Sequence, residues 1–187
     1  MSTIEETIEV RVPVTMAYNQ WTQFEDFPTF MEGVEEVRQI DDTHLHWRAE
    51  IAGKAKEWDA EITDQRPDQC VAWTATDGAG NGGVITFQAV SEDTTQVKAR
   101  MDVEPEGVVE KAGDVLGVVK RRVKSDLERF KKLIEARGSE SGAWRGEVRD
   151  GERTDESGRT SNGAAAAERP LGTGHGTKPT GGFEPHR

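Results

Sequence analysis

The side chains of this 187-residue chain whose types and spacing could do chemistry gather in a few short stretches. Glu57, Asp59 and Glu61 alternate, so on a strand the three carboxylates would share a face, as general acid–base groups or metal ligands require. His44 and His46 stand at the same two-residue step. Cys70 is the single thiol, and Gly78, Gly80, Gly82 and Gly83 could cradle a phosphate.

The neighbouring sequence gives each of these a structural reading. Residues 43–51 and 54–65 alternate with period two on either side of Ala52-Gly53, which predicts a hairpin. A two- or four-residue loop puts Trp47 opposite Trp58, Leu45 opposite Ala60 and Thr43 opposite Ile62 on one face. The other face pairs Arg48 with Glu57, His46 with Asp59 and His44 with Glu61. The carboxylates and imidazoles therefore fall on the wet side, as surface ion pairs. No metal site is expected, because the other two histidines, His175 and His186, lie in the tail and supporting cysteines are missing. The glycine run precedes a strand rather than a helix, so it reads as a hairpin. No Gly-x-Ser-x-Gly elbow, P-loop or dinucleotide fingerprint occurs, and no cofactor is expected.

The elements that would position these residues follow from the changing period. Ile4, Ile8, Val10 and Val12 alternate with charged residues as an opening strand that Pro13 ends. Val14 to Phe24 has helical spacing, with Thr15 as a candidate cap. Phe27, Phe30 and Met31 form the aromatic face of a second short helix, interrupted by Pro28 and closed by Gly33. Strands are then expected at about 34–41, 43–51, 54–65, 69–76, 83–90 and 95–104, a run that implies an antiparallel meander. Val108 to Arg137 is a long amphipathic helix with Ala112, Val115, Leu116, Val119, Val123, Leu127, Phe130 and Ile134 on one stripe.

Composition narrows the partners. Residues 1–137 hold 17 Lys/Arg against 27 Asp/Glu, which disfavours nucleic acid. The cluster Lys120, Arg121, Arg122 and Lys124 reads as the solvated face of the long helix. No run approaches a membrane span or a signal peptide, and the lone Cys70 suits a reduced compartment, so a cytoplasmic protein without membrane insertion is expected. From Gly138 onward the chain holds eleven of the twenty glycines and only Val148 and Leu171 as branched aliphatics, so 138–187 is expected to be a disordered polar tail. Within it, 141–146 is a candidate docking segment, where Trp144 beside Arg145 would pack back on the domain or engage a protein partner.

Phe27, Phe30, Met31, Trp47, Trp58, Trp73, Phe87, Val109, Ala112, Gly113 and Leu116 would converge between sheet and long helix. They line either a filled core or an apolar cavity suited to a small molecule.

Here the chain resembles a known family. The element order, Glu57-Trp58-Asp59-Ala60-Glu61-Ile62, Pro67-Asp68 to Ala72-Trp73, Asn81-x-Gly83, Glu110-Lys111-x-Gly113-Asp114-x-Leu116-Gly117 and Asp126-Leu127-x-Arg129-Phe130-Lys131 are similar to the polyketide cyclase/dehydrase group of the SRPBCC (START-like) superfamily. The resemblance covers residues 3–137. It implies an α+β helix-grip fold, a seven-stranded antiparallel sheet curled around the long C-terminal helix, with two short helices after the first strand. It also implies a hydrophobic or aromatic ligand, polyketide-, quinone- or lipid-like, held in an internal cavity. The alternatives are an aromatase/cyclase or dehydratase that works by positioning its substrate, and an interaction module acting through the tail. The matched motifs are scaffold positions, so no catalytic residue transfers with them.

Overall fold

The structure, a computed structural model, describes residues 2–51, 53–76, 82–103 and 112–154. Strand β1 (Ser2–Val10) leads into helix α1 (Val14–Trp21) and a 3₁₀ helix (Phe24–Thr29). Six strands follow: β2 (Val34–Gln39), β3 (His44–Ile51), β4 (Lys54–Arg66), β5 (Cys70–Ala75), β6 (Gly82–Ser91) and β7 (Thr94–Val103). Helix α2 (Ala112–Arg137) and a hairpin of β8 (Glu147–Arg149) and β9 (Glu152–Thr154) complete the described chain. The start of the long helix expected at 108–111 lies outside the described residues.

The sheet runs β1-β7-β6-β5-β4-β3-β2, antiparallel throughout and open, since β1 and β2 do not pair. The hairpin register is the expected one, with Trp47 opposite Trp58, Leu45 opposite Ala60 and Arg48 opposite Glu57. Two additional strands extend the expected seven, because β8 pairs with β4.

Helix α2 bridges the two free edges of this sheet. On the β1 side, Lys131 Nζ donates to the Glu9 carbonyl at 2.7 Å and the Arg11 amide donates to Glu135 at 2.8 Å. On the other side, Arg129 Nε donates to the Phe30 carbonyl at 3.0 Å, the Glu32 amide donates to Asp126 at 3.0 Å, and Arg122 donates to the Glu50 carbonyl at 2.9 Å. Burial raises the Asp126 carboxyl above its ordinary pKa, although Arg129 and the Glu32 amide oppose that shift. Gly33 permits the tight approach here. Its φ is +79°, and a Cβ would stand 2.7 Å from the Glu50 carbonyl oxygen. The sheet is thereby curled around the helix, with the apolar faces of both turned inward.

Thr15 does not cap α1. Pro13 occupies the cap position without a side-chain bond, and the Thr15 hydroxyl turns to Asp68 at 3.3 Å instead. Pro28, which lacks an amide donor, accompanies 3₁₀ rather than α geometry in the second short helix.

Residues 138–154 lie on the domain: 141–146 docks as expected, and a hairpin beyond it carries the order further past Arg137 than expected. Ser141 donates through its amide to the buried Gln20 at 2.9 Å, and the Trp144 amide donates to Thr22 Oγ1 at 3.0 Å. Arg145 pairs with Asp68 at 2.9 Å and reaches Asn19 Oδ1 at 2.8 Å. Val148 is fully buried, and Arg153 lies over the Trp144 ring at 5.8 Å. The segment is poor in apolar residues, so composition alone pointed away from order. Polar partners on α1 and one strand pairing hold it. Residues 155–187, the rest of the expected tail, lie outside the described residues.

Beneath this strap sits Tyr18, fully buried, with its hydroxyl accepting from Gln65 Nε2 at 3.2 Å. Burial pushes its phenol up to about 12 from the ordinary 10.0. The folded state therefore resists ionisation that the unfolded chain undergoes, so its contribution to stability is complete below pH 10 and disappears as pH rises to 12. Two pKa units correspond to about 3 kcal/mol. Urea unfolding at pH 8 and pH 11 should show this alkaline loss, and Tyr18→Phe should remove most of the difference between the two. An equal alkaline loss in the variant would assign it to other groups.

Candidate functional site

Strand register sorts the inner face of the sheet into rows that run toward α2. The row nearest α1 is Phe87, Val97 and Ile8, the next is Val71, Ile85, Ala99 and Glu6, and the third is Ile62, Trp73, Gly83, Met101 and Ile4. In the third row Trp73 and Met101 are only half-buried, although Ile62 and Ile4 in the same row are buried, and Ile8 in the first row is half-buried as well. Helix α2 carries the clearer gradient: Ile134, Phe130 and Leu127 are buried, and Val123, Val119 and Leu116 toward its N-terminus are half-buried. The grip thus has a closed end under α1 and a looser apolar end around the first half of α2.

The closed end is an aromatic cluster. Trp21 meets Phe130 at 5.0 Å between centroids, Phe27 at 5.4 Å, Phe30 at 5.7 Å and Phe87 at 6.3 Å. Edge-on and tilted geometries of this kind add to the gain from buried area. Phe27, Phe30 and Phe87 from the sequence-derived set therefore lie in the packed core. Trp47 is buried beside Phe27 and stacks on half-buried Trp58, with rings 5.7 Å apart and 9° from parallel. Met31, Trp58, Trp73 and Leu116 are half-buried. Ala112 and Gly113 belong to α2, but their surroundings and Val109 lie outside the described residues.

Two glycines shape the looser end. At Gly83 a Cβ would lie 2.8 Å from both the Met101 sulfur and the Trp73 ring, so the missing side chain lets those two meet over the strand. At Gly117 a Cβ would meet nothing within 4 Å. A helix-interior glycine costs roughly 0.5–1 kcal/mol relative to alanine, and no neighbouring atom requires it.

Sequence reasoning passed over one polar pair. Glu6 shares the inner face of β1 with Ile4 and Ile8, and Lys120 Nζ stands 3.8 Å from its carboxylate. Its phase with buried Ile4 and half-buried Ile8 was the available signal. Lys120 is exposed, as expected of the solvent face of α2, and reaches this carboxylate from there.

The other constellations are where the alternation placed them. His46 bonds Asp59 at 2.7 Å and Arg48 bonds Glu35 at 2.7 Å, all on the outer, partly exposed face. Among the described residues no group of three His, Cys, Asp or Glu side chains could hold a metal, and no helix is long and apolar enough to cross a membrane. Cys70 is buried, and burial raises its thiol pKa, which suits a packed rather than a reactive sulfur.

An open antiparallel sheet gripping a C-terminal helix is the fold of the START-like superfamily, and solved structures agree. An aromatase/cyclase from Streptomyces sp. R1128 superposes with a TM-score of 0.64 at 17% identity, over 76% of this chain and 99% of that one. A START superfamily protein from Mycobacterium smegmatis gives 0.57 at 16% identity, over 72% of this chain and 95% of that one. At sequence level, an uncharacterised 17.2 kDa protein of Streptomyces lincolnensis is 58% identical over 149 residues, 79% of this chain and 99% of that protein. Residues 10–132 match the family described as polyketide cyclase / dehydrase and lipid transport, and the chain belongs to that family.

Proposed function

We propose that the chain binds a hydrophobic or aromatic small molecule non-covalently at the looser end of the grip, between Trp58, Trp73 and Met101 on the sheet and the first half of α2. The observation that carries this reading is the burial gradient along the inner stripe of α2, whose half-buried first half accompanies the half-buried Trp58, Trp73 and Met101 on the sheet. Large apolar side chains left partly uncovered in one concave region suit a small-molecule site. Membership of a family that includes lipid transport agrees with it.

Val119→Trp tests the site. Val119 is half-buried on the inner stripe of α2, and tryptophan is about as good a helix former as valine, so the melting temperature without ligand should hold. A bound molecule at a hundred times its Kd stabilises by about 2.7 kcal/mol. That increment, measured by thermal shift with fluorene or a flat quinone, should appear in the wild type and vanish in the variant. Native mass spectrometry of the purified wild type should show an organic adduct that the variant lacks. Absence of both signals from the wild type would sink the reading.

A second reading is catalysis by positioning, and Glu6 is what favours it. A carboxylate on the inner face with a lysine 3.8 Å away is a group that could move a proton on a bound polyketide-like chain. Turnover lost in Glu6→Gln, with ligand affinity unchanged, would establish it.

A further inference from the structure

Among the described residues two buried side-chain polar atoms make no hydrogen bond. Trp47 is 8% exposed, and its indole Nε1 is buried and makes no hydrogen bond. Arg66 Nε is the other such atom among the described residues, but the same guanidinium bonds Asp64 at 3.0 Å and Gln69 at 3.5 Å through its other nitrogens. Trp47 has no such substitute, because an indole carries a single donor. An unpaired N–H held away from water is unfavourable, and native interiors rarely keep one without a use.

This donor stands where the closed core meets the ligand site: Trp47 packs on Phe27 with tilted rings 5.7 Å apart and stacks face to face on Trp58, which is half-buried. The two rings form a flat wall nearly parallel to one another. Such a wall favours a planar partner on its exposed side.

Resting on the cavity reading above, we propose that Trp47 Nε1 is the hydrogen-bond donor that sets ligand specificity, so that the preferred ligand is a flat aromatic molecule bearing a carbonyl-type acceptor oxygen. A hydrocarbon of the same shape leaves the indole donor unpaired and binds more weakly. Charge plays no part in this selection, since indole is neutral.

The test uses 9-fluorenone and fluorene, which share a planar tricyclic outline and differ by the carbonyl oxygen. Titration of tryptophan fluorescence should give fluorenone the lower Kd by about tenfold, the ratio one hydrogen bond to a buried donor supplies. Trp47→Phe keeps an aromatic ring beside Trp58 and should weaken fluorenone to the level of fluorene while leaving fluorene within about twofold. A preference that survives in Trp47→Phe, or its absence from the wild type while fluorene still binds, overturns the assignment of Trp47 and spares the cavity. Binding of neither compound overturns the cavity reading and this inference together. The wild type gives a second measurement, with 15N-labelled tryptophan. The indole N–H signal that is missing from Trp47→Phe should move downfield with fluorenone and stay put with fluorene, and a stationary signal with both rejects the proposal.

Discussion

A chain ending at Arg137 is expected to melt about 10–15 °C below one ending at Thr154, although it keeps β1 to β7 and all of α2. The missing 17 residues bury Val148 completely and half-bury Trp144. Fully burying one aliphatic side chain is worth about 1.5–3 kcal/mol, and the partly buried indole and its bond to Thr22 add about 1–2 more. For a domain of this size each kcal/mol lowers the melting temperature by about 2–4 °C. The surface ion pairs of Arg145 and Arg153 contribute little to this sum because they are exposed.

The truncated chain should also self-associate. Strand β4 overhangs β3: their pairing ends at His44 and Glu61, while β4 continues to Arg66. Along that overhang Asp64 and Gln65 pair with Arg149 and Val148 of β8, and the Gly151 amide donates to the Thr63 carbonyl. Removing the hairpin bares a strand edge, the feature through which sheets add further chains. Light scattering that rises with concentration in the chain ending at Arg137 alone would match this. Equal melting temperatures and equal scattering for the two chains would mean the strap contributes nothing.

The sequence reading reached 141–146 of this strap as a docking segment but missed the hairpin beyond it, for a physical reason. Hydrophobic period identified β1 to β7 and α2 because each buries one face against a partner, and the hairpin register followed from placing Trp47 and Trp58 together. Residues 138–154 bury almost no continuous face. Their order depends on Gln20, Asn19, Thr22 and Asp68, polar groups of a distant part of the chain whose arrangement only the folded domain supplies. Low apolar content was read as a lack of driving force, which holds for a segment alone and fails where a preformed surface is waiting. The site divides in the same way. Its aromatic members could be named from alternation, but alternation carries no depth. It could not separate Phe27, Phe30 and Phe87, which fill the closed end, from Trp58 and Trp73, which are left half-covered. Glu6 was hidden because its neighbours Glu5 and Glu9 are of the same type but face outward.

Trp21→Ala is expected to cost about 3–5 kcal/mol, and the reason bears on function as well as stability. The Trp21 side chain is 3% exposed and touches four aromatic rings drawn from the 3₁₀ helix, its C-terminal flank, β6 and α2. Phe30 also meets Phe130 at 5.3 Å and Phe27 at 5.4 Å, so the remaining rings hold one another in place and can collapse only partly into the hole, which places the cost toward the upper part of the range. Denaturant unfolding should show a lowered midpoint with an unchanged slope, and a loss under 1 kcal/mol would mean the closed end is loosely packed. Binding should behave differently. The ligand site is proposed at the other end of the same interior, so Trp21→Ala, at a temperature where it is folded, should keep its affinity for fluorenone while losing stability. Val119→Trp should keep its stability while losing affinity. That double separation follows if the interior is filled at the end under α1 and left open, as proposed, at the other. If the two variants lost affinity and stability in the same proportion, the interior would be a single packed core, and the gradient along α2 would have no bearing on binding.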